Sequence, residues 1–425
     1  MLKIVHPICC GIDVHKSFIV ATIGSTDVHG LTTYTTKNFY TYNKDLLAFK
    51  NWLISHNCKD ICMESTGKYW IPIFNYLEDY ASITLANPKH IKAIKGKKTD
   101  KKDSIWICDL FKHDLVPGSF IPPKDIREIR DLNRYSFKYK SIITSEKNRI
   151  QNSLTVSNIA LDSFVSDMFG KSATKIIDYI LTIKSDEFNK DNILPLLHGS
   201  MKPKIESIIN SLEGFNITDE QKFKLSIARQ NLSQVIDNRS LINKKINELT
   251  SNYQPYIDLL LTIPGVDRTS ANLIIGEIGL DMSVFSNSKK LCNWAGVTPT
   301  NNESAGKKKT TRISRAGIYL KPVLVQCANS AIKDKSNNYF KLKYDKLKKR
   351  RGHKKAIIAI CRMMLTSIYH MFLTGEVFNP KEFNYSDEPT EKSEQRKLSK
   401  INDAIKFLQR QGLDTSSLNL DFLTA

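Results

Sequence analysis

Four acidic residues lie where the sequence pattern can bring their carboxylates together. Asp13 follows an apolar run and precedes a short polar break, which predicts that it ends the first strand of a hairpin. Glu64 ends another predicted strand, and Asp100 and Asp103 share one face of a predicted helix. Because ligands bind at the ends of adjacent strands in α/β sheets, we expect the four carboxylates to hold two divalent ions for phosphoryl transfer. Hard oxygen ligands suit Mg²⁺ or Mn²⁺.

Each acid also has an ordinary structural interpretation. An Asp beside a turn often accepts hydrogen bonds from nearby backbone amides. Asp100 and Asp103 can cap a helix and offset the lysines around them. There are seven lysines between residues 89 and 102. Those at Lys97, Lys98 and Lys101 are predicted to steer a phosphate backbone toward the metal ions.

The second centre is a basic segment that contains two serines. Residues 301–355 hold 17 Lys or Arg against 3 acids, which is most of the surplus in a chain of net charge +20. A solvated basic face is the usual explanation of such a run, but this excess favours nucleic acid over an anionic membrane surface. Ser304 and Ser314 lie within it, where cations would stabilise a serine oxygen attacking a phosphodiester, although most loop serines have no such role. The predicted nucleic-acid contacts here are Lys307, Lys308, Lys309, Arg312 and Arg315.

The elements that position these residues fall into three predicted domains and a tail. Residues 1–124 alternate strands and helices, which predicts an α/β sheet with helices on its faces. Residues 125–254 are predicted to be helical, and residues 255–375 mainly α-helical. Residues 376–425 form a polar tail, to which we assign no function.

An apolar stripe in the helical middle part repeats in alternating steps of three and four over more than three heptads. This pattern predicts a long helix with a coiled-coil seam, interrupted once by a polar residue. Its partner is either the predicted helix near 127–155 or the same helix of a second subunit. The stripe consists of Leu225, Ala228, Leu232, Val235, Arg239, Ile242, Ile246 and Leu249.

The motif I-P-G-V at residues 263–266 joins two predicted helices and resembles the helix-hairpin-helix element. In that element, backbone amides, here at Gly265, meet a DNA phosphate without reading sequence. A plain turn between helices is the alternative. Residues 356–373 form the longest apolar run, but Arg362 and His370 interrupt it, which predicts a buried helix and no membrane span.

The 8 cysteines show no C-x-x-C pair and no regular spacing. No signal-peptide pattern precedes the first predicted strand. Disulfides need an oxidising compartment, so we expect reduced thiols and a cytoplasmic protein.

Taken in order, these motifs resemble the DEDD transposases of the IS110 insertion sequences, a family related to Piv-like DNA invertases. The resemblance extends from the N-terminus to about residue 380. Its N-terminal motifs are G-I-D-V-H-K with Asp13, M-E-S-T-G with Glu64, N-P-K-H, and K-T-D-K-K-D with Asp100 and Asp103. Its C-terminal motifs are I-P-G-V, W-A-G-V-T-P, S-A-G and R-I-S-R-A-G.

The resemblance implies an RNase H-like N-terminal domain, similar to the RuvC resolvase, whose four acids bind Mg²⁺. It implies a C-terminal serine that becomes covalently joined to DNA. Ser304 matches that position, with Ala305 inserted where many relatives have S-G directly, and Ser314 is the reserve candidate. It also implies guidance by a structured noncoding bridge RNA that pairs with donor and target DNA. Members act as homo-oligomers, so we expect a dimer or tetramer, associated with a bacterial nucleoid.

Two other functions are compatible with the residues alone. A metal-only nuclease of the resolvase type would leave free DNA ends and use neither serine. A non-catalytic RNA- or DNA-binding protein would bind without Mg²⁺ and tolerate replacement of Asp13.

Overall fold

A mixed five-stranded sheet forms the N-terminal part of the chain. The computed structural model of the protein describes residues 2–64, 67–91, 99–183, 187–299, 302–304, 307–310 and 312–380. The strands are β1 Ile8–Val14, β2 Phe18–Thr26, β3 Thr32–Tyr40, β4 Asp60–Glu64 and β5 Ser82–Ala86. Their order is β3-β2-β1-β4-β5, antiparallel from β3 to β1 and parallel from β1 to β5. The predicted hairpin at Asp13 and the α/β character of the N-terminal part are therefore confirmed.

Both faces of this sheet are covered by helices, because successive side chains of a strand point to opposite faces. Cys10 and Ile12 of β1 pack into an apolar cluster with side chains of the first two helices. Cys9 instead packs into a second cluster with Ile107 and Cys108 of the fourth helix. The helices of this part are α1 Asn43–Ser55, α2 Trp70–Leu77, α3 Pro88–Ile91 and α4 Asp100–Lys112.

Gly11 lets α4 lie directly on β1. A Cβ atom at this position would come within 2.3 Å of the backbone nitrogen of Cys108 and 2.4 Å of the carbonyl oxygen of Ser104. The hydroxyl of Ser104 also forms a hydrogen bond of 2.7 Å with the hydroxyl of Thr22 on β2. The helix that carries Asp100 is thus fixed in position along the strand that carries Asp13.

Residues 125–250 are mainly helical, as predicted, and short 3₁₀ turns link the longer helices. Their bounds are α5 Lys124–Val156, α6 Lys171–Thr182, α7 Ile205–Asn210 and α8 Asp219–Leu249. The stripe on α8 packs against α5, so the intrachain partner near 127–155 is the one observed. Leu225, Ala228 and Leu232 are buried with Ile150 and Leu154 of α5 in one cluster. A coiled coil with a second subunit stays a prediction.

The chain divides into two compact units. The N-terminal unit comprises Met1–Ser251 and Asn272–Ser286, and the C-terminal unit comprises Asn252–Ala271 and Asn287–Ala425. The finer boundaries predicted at residues 124, 254 and 375 stay predictions. The remaining elements are α9 Gln254–Leu261, α10 Arg268–Ile278, α11 Ser288–Trp294, β6 Asn302–Ser304, β7 Lys307–Thr310, α12 Leu320–Ala331, α13 Tyr339–Arg351 and α14 His353–Thr374. Residues 381–425, most of the predicted polar tail, lie outside the described residues.

Among the described helices, α14 alone is long and apolar enough to cross a membrane by length and composition, and 56% of its most apolar window is buried. It packs against α11, α12 and α13, and residues such as Ile360, Met364 and Ile368 are buried. The prediction of a buried helix at 356–373 is confirmed. Packing in the C-terminal unit explains the apolar composition of α14.

Gly11→Ala should destabilise the protein by about 1–3 kcal/mol, the usual cost of overpacking a well-packed core. The added methyl group has to push α4 away from β1, because the atoms it meets belong to the backbone of α4. Urea denaturation would measure the loss. Gly118→Ala is the control, because its methyl group would meet only Thr84 at an ordinary 3.5 Å. Equal stability of the two variants would contradict the close packing at Gly11.

Candidate active site

Asp13 lies near the end of β1, beside a tight connection to β2. The backbone amide of His15 donates a hydrogen bond of 3.0 Å to the carbonyl of Phe18, which closes this turn. The Asp13 side chain is 13% exposed. The strand therefore delivers a largely buried carboxylate to one edge of the sheet.

Asp100 and Asp103 occupy the first turn of α4, as predicted. The helix begins there because the Thr99 hydroxyl accepts a hydrogen bond of 3.3 Å from the backbone amide of Lys102. The partial positive charge at a helix N-terminus stabilises carboxylates in the first turn. Capping of α4 and its packing at Gly11 together bring the two acids of the helix toward Asp13.

His15 lies between two of the acids. Its Nε2 atom is 3.2 Å from Oδ2 of Asp13 and 3.6 Å from Oδ2 of Asp100. Within the described part of the chain, Asp13, His15 and Asp100 form the one group of three or more possible metal ligands whose donor atoms all lie within 4.8 Å of one another. The structure therefore brings together two of the four predicted acids, and adds a histidine.

The pKa of Asp13 is raised above its ordinary value of 3.8. Burial is the largest cause, because it removes water from the charged form, and repulsion from Asp100 and Asp103 adds to it. The nearby His15 ring acts in the opposite direction. Asp103 is thus close enough to influence Asp13 electrostatically, although it is outside the three-residue group just described.

Glu64 ends β4, beside β1 in the sheet. The last pairing between the parallel strands β1 and β4 joins Ile12 to Met63, so the next residues along the two strands are Asp13 and Glu64. Residues at matching positions of neighbouring strands point to the same face. Glu64 is half-buried. Its backbone therefore reaches the same sheet edge as Asp13, although its carboxylate is not in the three-residue group.

Asp13, His15 and Asp100 are suited to bind a divalent cation. The Nε2 atom of His15 is buried and completes no hydrogen bond with any of the described residues, although two carboxylates are near. A buried polar atom without a partner is unfavourable, and so are carboxylates that repel one another. A cation bound between Asp13, Asp100 and His15 would relieve both. The donor set of carboxylate oxygens with one imidazole nitrogen can bind Mg²⁺ or Mn²⁺.

Ser304 ends β6, in a short β-hairpin of the C-terminal unit. It pairs with Lys307 of β7, so two residues connect the strands. An isolated bridge between Pro299 and Ile313 closes the base of the hairpin. The backbones of Ser304, Lys307, Lys308 and Lys309 belong to these strands, whereas their side chains lie outside what the structure describes.

Two glycines lie in close backbone contact with each other's segments at the base of this hairpin. Gly296 and Gly317 both have φ of +68°, a conformation that glycine adopts readily. A Cβ atom on Gly317 would be 2.1 Å from the carbonyl oxygen of Ala295, and one on Gly296 would be 2.6 Å from that of Ala316. The motifs W-A-G-V and R-I-S-R-A-G therefore pack backbone against backbone and fix the hairpin's two ends.

Ser314, the reserve candidate, takes part in this local packing. Its hydroxyl accepts a hydrogen bond of 3.3 Å from the amide of Ala316, and its carbonyl accepts one of 2.7 Å from Nζ of Lys321. Burial lowers the pKa of Lys321. The contacts of Ser314 thus hold the loop that follows the hairpin.

The predicted nucleic-acid contacts have different environments. Lys101, Arg312 and Arg315 are exposed, whereas Lys97 and Lys98 lie outside the described residues. Gly265 has φ of +82°, and a Cβ there would be 2.4 Å from the carbonyl oxygen of Cys327 on α12. The I-P-G-V turn thus packs closely on α12, which accounts for its glycine whether or not its amides meet a phosphate.

Sequence reasoning missed His15. A detectable signal was available, because residues 13 and 15 of an extended strand end share one face. Of the nine histidines, this one follows the first acid by two positions. We interpreted it as part of a polar break, and so overlooked its ring as a neighbour of Asp13.

Two family models match the chain. A model described as Transposase, of the IS110 DEDD type, matches residues 10–159. A model described as Transposase IS116/IS110/IS902 family matches residues 257–345. The first match contains the four predicted acids and the second contains both serines, and together they cover more than half of the chain. A search of curated proteins found no match.

Asp13→Asn should raise the melting temperature of the metal-free protein by a few degrees at neutral pH. The raised pKa means that the charged form of Asp13 is unfavourable in the folded state. Protonation removes this cost, so the gain should shrink as the pH falls through the folded-state pKa, which lies above 3.8. Calorimetry with EDTA across about pH 4–8 would measure both effects. Exposed Asp79→Asn is the control. A lower melting temperature for Asp13→Asn at neutral pH would contradict this electrostatic analysis.

Proposed function

Because this chain belongs to the IS110 family of transposases, enzymes that cut and rejoin DNA, we propose that it does so with a metal-binding acid site and a serine nucleophile. The acid site comprises Asp13, Glu64, Asp100 and Asp103, and the nucleophile is Ser304. The observation that carries this proposal is the packing of α4 on β1, which brings Asp100 to within 3.6 Å of a ring nitrogen that is also 3.2 Å from Asp13.

The N-terminal unit supports an RNase H-like domain of the RuvC type. Its mixed sheet has the order β3-β2-β1-β4-β5, and its acids come from the ends of two adjacent central strands and from a helix packed on them. These positions allow the four carboxylates to converge on one phosphate. A bound Mg²⁺ or Mn²⁺ would neutralise charge on that phosphate and stabilise the leaving oxygen.

In the proposed reaction, Oγ of Ser304 forms a bond to the scissile phosphorus. The serine proton passes to solvent, the bond between phosphorus and a deoxyribose oxygen breaks, and that oxygen leaves with a proton. The phosphoserine diester retains the energy of the broken bond. Rejoining reverses the step, with a deoxyribose hydroxyl as the attacking group.

The local structure favours Ser304 over Ser314 in this role. Ser304 lies next to a two-residue hairpin connection, and its neighbour across the hairpin is Lys307. Ser314 instead uses its hydroxyl and its carbonyl to hold the adjacent loop. A serine whose contacts maintain the backbone is poorly placed to change partners during catalysis.

Donor and target DNA would contact the basic residues of the C-terminal unit. Arg312 and Arg315 are exposed near the hairpin, and the last turn of α13 carries four consecutive cations at residues 348–351. With Lys97, Lys98, Lys101 and the cations of β7, these residues would bind phosphates and not base edges. Gly265 would add a backbone amide if its turn reaches the DNA.

Sequence choice would come from base pairing by a bridge RNA, as in other guided systems, and the protein would act as a homo-oligomer, a dimer or tetramer. Exposed apolar residues on α8 support an oligomer, because α5 covers the opposite side of that helix. They include Phe223 and Leu241, which are 70% and 66% exposed. In such an assembly, a serine from one subunit would complete the acid site of another.

Ser304→Ala should abolish recombination between two plasmids and the covalent protein–DNA adduct, while DNA binding persists, because only the attacking oxygen is removed. Asp13→Ala should have the same effects through loss of the metal site. Denaturing electrophoresis would detect the adduct. Ser314→Ala is the matched control and should retain both recombination and the covalent adduct. Any decrease should be no larger than the decrease in the fraction of folded protein.

Loss of the adduct in Ser314→Ala, with wild-type activity in Ser304→Ala, would transfer the nucleophile to Ser314. Cleavage to free ends without any adduct would instead support the metal-only nuclease. Binding that ignores Mg²⁺, with no cleavage, would support a non-catalytic protein.

A structured RNA should copurify with the full chain when it is expressed together with its flanking DNA. Sequencing should show two segments complementary to the donor and target sites, because pairing would select both. The Asp13→Ala variant should carry the same RNA, since catalysis is not needed to hold it. If all of the copurifying RNA lacked complementarity to the donor and target sites, the proposal that an RNA guides the protein to DNA would be contradicted.

A further inference from the structure

We propose that His15 is a metal ligand, so that the acid site binds its cation through oxygen and nitrogen. This inference rests on the proposed metal-binding role of Asp13 and Asp100. The Nε2 atom of His15 is buried, completes no hydrogen bond within the part of the chain that the structure describes, and lies at ion-pair distance from both carboxylates. A ring nitrogen in that position faces the point where a cation between the two acids would lie.

The separations match those of ligands on one ion. Two ligand atoms at right angles, each about 2.1 Å from an octahedral ion, are about 3.0 Å apart. Nε2 is 3.2 Å from the Asp13 oxygen and 3.6 Å from the Asp100 oxygen. All three donor atoms lie within 4.8 Å of one another, so movements of a few tenths of an ångström would complete the three bonds.

The ring is held in this direction by its surroundings. It stacks on Phe18 with centroids 4.5 Å apart and an interplanar angle of 25°. The hydrogen bond from the His15 amide to the Phe18 carbonyl fixes the backbone of the same turn. A ligand whose orientation is set before binding loses little conformational freedom when the metal arrives.

A nitrogen ligand changes which ion the site prefers. Mg²⁺ favours oxygen donors, whereas imidazole is a common ligand of first-row transition ions. The His15 ring should therefore raise the affinity for Mn²⁺ more than the affinity for Mg²⁺. An acid-only site at this sheet edge would lack that difference.

The test is pulsed electron paramagnetic resonance of the untagged, full-length protein loaded with Mn²⁺ alone. Wild-type protein should show the modulation that a directly bound ¹⁴N produces. His15→Phe keeps an aromatic ring against Phe18 but has no donor. It should lose the modulation and bind Mn²⁺ at least about tenfold more weakly, with a smaller change for Mg²⁺.

His6→Phe is the matched control. His6 also stacks on a phenylalanine, Phe111, with centroids 4.4 Å apart, and its Nδ1 lies 3.3 Å from an Asp60 oxygen. It should leave the nitrogen signal and the Mn²⁺ affinity unchanged. Loss of the nitrogen signal in His6→Phe would show that His6, and not His15, binds the metal ion, and would overturn the proposal.

The measurements distinguish an acid site that binds metal without His15 from the absence of a metal-binding acid site. If Asp13→Ala abolishes Mn²⁺ binding but the wild-type spectrum shows no bound nitrogen, the acids bind metal and His15 is not a ligand. If Asp13→Ala binds Mn²⁺ like wild type, the acid site itself is refuted. The wild-type spectrum decides the role of His15 even if His15→Phe does not fold.

Discussion

The candidate site depends on a buried carboxylate that the fold holds close to two others. Packing of α4 on β1 through Gly11 leaves Asp100 and Asp103 beside a largely buried Asp13. Burial is the largest cause of the raised pKa of Asp13, repulsion from Asp100 and Asp103 adds to it, and the nearby His15 ring acts in the opposite direction. Such an arrangement costs stability when no cation is bound. It is therefore better explained by metal binding than by helix capping, for which an exposed carboxylate would suffice.

Close backbone packing also determines the local structure of the C-terminal unit. The close backbone contact between the segments of Gly296 and Gly317 requires that neither residue carry a side chain. It holds the two ends of the β6–β7 hairpin, and Ser304 lies next to the hairpin connection. Ser314 belongs to the support of that hairpin. The two serines of the basic segment thus have different backbone positions, because Ser304 ends a strand and Ser314 lies in the loop after the hairpin.

Much of this arrangement could be predicted from local pattern. The hairpin at Asp13, the strand ending in Glu64 and the first turn of α4 follow from apolar runs, turn residues and the spacing of Asp100 and Asp103. The helix that packs against the α8 stripe could not be predicted, because a heptad seam specifies an apolar surface without specifying which helix covers it. The glycine contacts at 11, 296 and 317 and the position of His15 were also missed. The glycine contacts depend on which backbones approach each other in three dimensions, and single-sequence spacing does not contain that information. His15 was overlooked although its spacing from Asp13 places both residues on one face of an extended strand end.

The most direct test of the central claim is anomalous diffraction from crystals of the full chain soaked in Mn²⁺. We expect a peak between the carboxylates of Asp13 and Asp100 on the side where the His15 ring lies, and no such peak in crystals of Asp13→Ala. An ion bound only elsewhere, or a well-ordered site that stays empty at saturating Mn²⁺, would contradict it.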